Sequence, residues 1–290
     1  MITLGYVDRA ADEDRNGSAA SHDLERALAQ IMSLSDGDRG VLEVVMFGAR
    51  AVPPLRGLLL KRESSGLFEP PCRVVEALAA LGAQDVLATF LKTDRDIADP
   101  IERAGEDAVL NAAARVLRDT ADEETIQRML WLAKERYLAG PIEVLGLRRR
   151  TEALPCLIGA LADDLARPAA EGAIRCFGRD AAVALARAGS ERDVQNGSES
   201  ESSLRRRRTA LTLLLEIGDL TAVTLRQQVE WAEDADPDIA VAGCRAMLGG
   251  RDAMNRRRAL QKLARLSPRV RWSLHLDIEG ILREHSTDAS

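Results

Sequence analysis

The sequence predicts an all-helical chain of stacked helical hairpins, and three observations carry that expectation. The line Ala51-Val52-Pro53-Pro54-Leu55-Arg56-Gly57-Leu58-Leu59 returns as Ala153-Leu154-Pro155-Cys156-Leu157-Ile158-Gly159-Ala160-Leu161, an offset of 102 residues. That offset is about three periods of 34, within the range of solenoid repeats. Aromatic residues are 3% of the chain against 46% hydrophobic, so the apolar mass is chiefly Ala, Leu and Val. Such small or unbranched side chains suit closely packed helices, whereas sheets draw on aromatic and β-branched residues. Nor does any segment alternate apolar and polar residues long enough to argue for a strand.

Turn signals divide the chain into about seven hairpins. Asp23 to Ser35 reads as a lone cap helix. Arg39 to Phe47 and Val52 to Lys61 follow, joined through Gly48-Ala49-Arg50. Cys72 to Leu81 and Asp85 to Lys92 are joined through Gly82-Ala83-Gln84, and Gly48 to Gly82 is one period of 34 residues. Glu106 to Leu117 pairs with Glu123 to Glu135, Tyr137 to Leu147 with Glu152 to Leu161, and Pro168 to Phe177 with Ala181 to Arg187. Leu204 to Ile217 pairs with Leu220 to Trp231. Ile239 to Leu248, Ala253 to Leu266 and Val270 to Arg283 close the array.

One hairpin shows why many are needed. In Arg73-Val74-Val75-Glu76-Ala77-Leu78-Ala79-Ala80-Leu81, apolar residues cover most of the helix. A helix apolar on more than one face must be covered by several neighbours. The glycines at 48, 82, 146, 178, 218 and 249 fall where helices are expected to end. Glycine accepts the left-handed backbone that stops a helix. Pro53 and Pro155 fall in a first turn, where the missing N–H has no intrahelical partner to lose.

The A-[VL]-P-x-L-x-x-x-L helices at 51–59 and 153–161 resemble HEAT repeats, and within them the short bacterial type related to phycobilin lyases. The E-A-L-x-x-L-G line from Glu76 to Gly82 adds to the resemblance, with weaker echoes at Ile142 to Gly146 and Gly172 to Gly178. It spans roughly residues 37 to 250 and implies an α-α superhelix of the armadillo type. It is nearly silent on function, because such arrays bind many unrelated partners.

Two segments break the pattern. Met1 to Ser21 is acidic, small and polar, and disorder is expected there. Gly189 to Ser203 has almost nothing apolar to bury and is expected to be a mobile loop within a single array over residues 22–290. The N-terminus lacks the basic and apolar regions of a signal peptide, and no stretch approaches the roughly 20 apolar residues of a membrane span. Cys72, Cys156, Cys176 and Cys244 form no CxxC pair and sit on apolar helical stretches, where cysteine behaves as a small hydrophobe. A cytoplasmic location is expected. Net charge is −6, with 17 basic and 25 acidic side chains in residues 1–145 against 23 and 21 beyond. The overall acidity argues against a general nucleic-acid binder but leaves room for a local basic patch.

Residues that could carry chemistry are few. His22, His275 and His285 are far apart in sequence, so no metal and no cofactor is expected. The HEAT-like hydroxylase that acts on deoxyhypusine depends on repeated His-Glu pairs, and no His-Glu step occurs here. There is no phosphate loop, nucleophile elbow or zincin motif. The arginine clusters stand out instead: Arg148, Arg149 and Arg150; Arg205, Arg206, Arg207 and Arg208; and Arg256, Arg257 and Arg258. They read either as a solvated rim paired to neighbouring acids or as a basic strip for a partner. Trp231 and Trp272 read either as core or as contacts. A HEAT-like alkylpurine DNA glycosylase lines a concave basic cleft with aromatics and an aspartate, and the candidates for such a set here are Trp231 with Asp234 or Asp236, and Trp272 near Arg269 and Arg271.

The expected function is a non-enzymatic HEAT-like scaffold holding a protein or peptide partner on its concave face, with contacts from the second helices and the arginine clusters. The alternatives are a nucleic-acid-binding or glycosylase-like protein using the arginine-rich C-terminal half, and a bilin-lyase-like protein suggested by repeat subtype alone.

Overall fold

The computed structural model describes residues 21–63 and 65–287. The tail expected to be disordered therefore lies outside the described residues but for Ser21, which opens the first helix. The packing falls into two compact units, divided between Trp131 and Leu132. The sequence had suggested a single array from residue 22 onward.

In the first unit α1 spans 21–31. It is followed by α2 (Gly37–Val45), α3 (Val52–Leu60), α4 (Glu69–Ala80), α5 (Gln84–Lys92) and α6 (Pro100–Val116). Helix α7 (Glu123–Glu135) crosses the division. Helix α2 packs on α4 and α4 on α6, while α3 packs on α5, so these helices meet the one two places further along the chain. Cross-contacts α3–α4, α4–α5 and α5–α6 tie the two rows together. Val74, Val75, Ala77 and Leu78 of α4 are buried on more than one face, as two rows of neighbours require. Helix α6 begins at Pro100, earlier than expected. Asp99 accepts hydrogen bonds from the N–H groups of Ile101 and Glu102, and Pro100 occupies the first turn.

The second unit holds α8 (Ala139–Leu147), α9 (Leu154–Ala160), α10 (Arg167–Phe177), α11 (Ala182–Ser190) and α12 (Glu201–Ile217). It continues with α13 (Leu225–Ala232), α14 (Pro237–Leu248), α15 (Ala253–Leu266) and α16 (Trp272–Thr287). The same rule of packing holds. Helices α8, α10, α12 and α14 contact one another in succession, as do α9, α11 and α13. Eight of the twelve residues of α14 are buried, because α12, α13 and α15 all pack against it. At about 1.5–3 kcal/mol for each large apolar side chain removed from water, these contacts supply the main favourable term in folding.

The returning line occupies equivalent places in the two units. A 3₁₀ turn ends at Ala51 or Ala153, and a helix with proline in its first turn follows. Ala51, Leu55 and Leu59 are buried on one stripe, and so are Ala153, Leu157 and Leu161. A third copy, without the proline, runs through Ala181 and Leu185 to Gly189. Four of the expected stop glycines, Gly48, Gly82, Gly178 and Gly218, have positive φ. Gly146 does different work: a Cβ there would come within 2.4 Å of Ala173 Cα, so it sets the approach of α8 to α10. The left-handed residue after α8 is Arg149, with φ 51°. Its N–H donates to Gly146 O and that of Arg150 to Leu145 O. Gly82 and Ala83 make the same two bonds, to Ala79 O and Leu78 O. Gly249 has φ −69° and is no left-handed stop.

Residues 189–203 are more regular than their composition suggests. Helix α11 continues to Ser190, Val194–Gln195 pairs with Ser198–Glu199 as a two-residue antiparallel ladder, and α12 starts at Glu201. Asn196 and Gly197, both at positive φ, make the turn. This ladder is the only β structure among the described residues. Polar contacts around Arg207 and Ser203 substitute for the missing apolar ones.

The glycine contacts give a prediction with opposite signs. A Cβ on Gly243 would sit 2.2 Å from Ala232 N, at the closest approach of α13 and α14. A Cβ on Gly172, exposed within α10, would meet nothing. Gly172→Ala is expected to raise stability by about 0.5–1 kcal/mol through helix propensity. Gly243→Ala is expected to lower it by about 2 kcal/mol or more, because the backbone must move. Urea unfolding of the two variants checks both signs.

Candidate partner-binding site

The longest arginine run is mostly consumed within the structure. Arg205 donates to Ala162 O at 3.0 Å and to Asp164 at 2.9 Å. Arg206 donates to Glu191 O. Arg207 is 1% exposed, and its guanidinium donates to Gly189 O, Glu199 and Asp234 at 3.0, 2.7 and 2.6 Å. Arg208 forks onto Asp236. Four consecutive helical residues sweep all round the axis. One of them therefore had to point inward, and Arg207 does. As an interior residue it is removed from the candidate contacts.

Around Arg207 lies a polar core that fastens the 194–199 ladder. Asp234 also accepts from Arg192 at 2.5 Å. Ser203, buried, donates to Glu199 at 2.7 Å and accepts the Asp193 N–H at 3.0 Å. Sequence reasoning missed these acids as partners. Their signal was the alternation Asp234, Asp236, Asp238 in and just after the α13–α14 turn, opposite the arginine run. Asp236 also caps α14. Burial alone would raise its carboxyl, yet Arg208 and the Ile239 N–H outweigh that and hold its pKa below the usual carboxylate range.

Trp231 is corrected in the same way. It is 2% exposed, and its Nε1 donates to Ser190 Oγ at 3.0 Å. A depression of about 400 Å³ has Arg192, Glu230 and Glu233 around it, but its floor of Trp231 and Arg207 offers almost no surface. Asp234 is saturated by two guanidinium groups, so a tryptophan–aspartate pair facing an open cleft is not formed here.

The first cluster is also engaged. Arg149 donates to Phe177 O and to Asp180 at 2.7 Å, and Arg150 pairs with Glu152. Arg148 caps the end of α8 with its own N–H. The third cluster differs. Arg258 pairs with Glu233, but Arg256 and Arg257 make no ion pair among the described residues. Trp272 is 72% exposed, with its ring beside His275.

Two features resemble reactive sites only in composition. Ser267 Oγ lies 2.7 Å from His275 Nδ1 and donates to Glu279 at 2.9 Å. Both contacts converge on the buried serine, so the histidine does not stand between hydroxyl and carboxylate as a relay requires. The group fastens α16 to the turn before it. Among the cysteines, Cys244 is buried and its thiol is pushed up to about 12 by burial. Cys176 is exposed, contrary to the expectation of an apolar setting. No group of three metal-ligating side chains occurs among the described residues, and no described helix is long and apolar enough to cross a membrane.

A run of linked depressions lies over the first helices of the pairs in the second unit. Depressions of about 290, 380 and 520 Å³ share lining residues along it. The first two share Arg208, Thr212, Glu216 and Asp238, and the last two share Arg245 and Asp277. The trough therefore crosses α10, α12, α14 and α16 in turn. Its charges alternate: Arg175 pairs with Glu171 and Glu216, and Arg271 with Asp238. Arg245 is exposed and makes no ion pair among the described residues. Leu276 contributes exposed apolar surface at the α16 end. Comparison with protein-family models, curated proteins and solved structures found no match to the chain.

Two predictions follow from the buried ions. Arg207→Ala leaves Glu199 and Asp234 without their interior partner and is expected to cost about 3–5 kcal/mol in urea unfolding. Amide exchange at Ser200, whose N–H bonds Asp193 O, is expected to rise in the same variant. Because the folded-state pKa of Asp236 lies below its unfolded value, its contribution is present above the unfolded pKa and is lost as pH falls through the folded one. Thermal melts of Asp236→Asn are therefore expected to show lower stability at neutral pH and a smaller loss than the parent between about pH 4 and about pH 2.

Proposed function

We propose that the chain is a HEAT-like solenoid scaffold that holds a protein or peptide partner along the trough of its second unit. The reading rests on the hairpin repeats of the sequence and on the packing of successive alternate helices, α2 on α4 on α6 in the first unit and α8 on α10 on α12 on α14 in the second. The single observation that carries it is the trough across α10, α12, α14 and α16, whose three depressions share lining residues. A surface made by one helix from each successive pair is what stacked repeats offer a long ligand. The alternating charges suit a polypeptide with both signs, and Arg245 supplies a cation for a partner carboxylate. This places the contacts on the first helices of the pairs, whereas the second helices were expected to make them.

Site-specific photocrosslinking in the native host tests the reading. A crosslinking residue in place of Thr212 or Arg245 is expected to yield the same discrete adduct. One in place of Val183, exposed on α11, is expected to yield none. Adducts from all three positions alike, or from Val183 only, would overturn it.

A further inference from the structure

The outer face of α15 is strongly basic and is not neutralised from within by any acid among the described residues. The helix carries five basic residues, Arg256, Arg257, Arg258, Lys262 and Arg265, and no acidic one. Its inner stripe is Ala259 and Leu263, both buried. On one flank Arg258 and Lys262 converge on Glu233. The outer stripe runs Met254, Arg257, Gln261, Ala264 and Arg265, at the 3- and 4-residue spacing of one helix face, and all five are exposed. Arg257 and Arg265 make no ion pair among the described residues, and neither do the exposed Arg251 and Arg269 that flank the helix. This is unlike the other clusters, whose guanidinium groups find acceptors on neighbouring helices and turns.

The imbalance is regional. Residues 245–287 hold ten basic and four acidic side chains, while the rest of the chain holds 30 and 42. Cations near a helix N-terminus, as Arg256 and Arg257 are, also oppose the helix dipole. The fold thus retains a repulsion that an external anion would relieve.

We propose that this face docks an acidic polypeptide segment, a partner helix whose carboxylates meet Arg257, Arg265 and their flanking arginines and whose apolar side chains meet Met254 and Ala264. Charge complementarity fixes the sign of the occupant, and the length of the patch fixes its size. A helix of 14 residues is about 21 Å long. Met254, 79% exposed, offers the adaptable apolar contact that such a helix uses. A long polyanion such as nucleic acid would run off the patch onto a chain that is otherwise strongly acidic, whereas a short segment would not. The site is on α15, outside the trough, and stands independently of the function proposed above.

The test is fluorescence anisotropy with the full chain and a labelled peptide of about 16 residues that alternates glutamate and leucine at helical spacing, in about 50 mM salt. The parent is expected to bind the peptide, and Arg257→Glu/Arg265→Glu to weaken binding at least about tenfold. Arg257→Gln/Arg265→Gln, which removes charge but keeps helix propensity, is expected to fall between them. Arg226→Glu, at an exposed arginine on α13, is expected to match the parent. Circular dichroism of each variant verifies that the helices persist. Absence of peptide binding to the parent, equal binding by the reversed variant, or tighter binding of single-stranded DNA of the same charge would each overturn the proposal.

Discussion

Apolar surface on more than one side of a helix is the constraint on which the rest of this structure depends. A helix such as α14, buried along two thirds of its length, cannot be satisfied by one partner. It needs the helices on either side of it in the chain and also α12, two places back. Within each unit, helices that meet this need lie against both an adjacent helix and one two places away, so each element is placed by its neighbours. Small residues then set how close the rows come. Gly146 against Ala173 and Gly243 against Ala232 are points where backbone meets backbone and no side chain fits between. Dispersion contacts and excluded water gain most where helices approach this closely.

Arginine enters the same scheme as a connector. Its long stem lies along neighbouring helices while the planar head reaches acceptors several ångströms away. Arg207 is the extreme case, bonding one backbone carbonyl and two carboxylates in the interior. Arg62, with Arg95 and Glu106, makes a second partly buried group in the first unit. Burial draws the Arg62 pKa below its usual range, against the opposing pull of Glu106. Such groups contribute little net stability compared with an apolar core, but removing one partner leaves a charge stranded. They therefore act as registers. The 194–199 ladder holds its place on α12 through Glu199 and Ser203, although it has almost no apolar surface of its own.

Two surfaces are left after this internal pairing. The trough has charges of both signs, already paired for the most part, and suits shape-matched contact. The outer α15 face has one sign only, and its Arg257 and Arg265 find no counter-charge among the described residues. The first follows from repetition within the second unit, because α10, α12 and α14 each contribute to it from successive pairs. The second follows from the local sequence, since residues 245–287 hold ten basic side chains and only four acidic ones.

The helices and much of their pairing were legible in the sequence. Spacing of Ala, Leu and Val, the prolines of first turns and the stop glycines at 48, 82, 178 and 218 place most helices within a few residues. These signals are local, acting through backbone propensity and one-dimensional periodicity. The early start of α6, the late start of α13 and the ladder within 189–203 were not legible, because caps and buried polar contacts decide them. Likewise the sequence marked three arginine clusters and two tryptophans without distinguishing among them. Only the tertiary structure sent Arg207 and Trp231 inward and left Arg257 and Trp272 outside. The reason is that a side chain's fate at the surface depends on which acceptors its neighbours bring within about 3 Å, and those neighbours lie 8 to 41 residues away in the chain for Arg207 and Trp231.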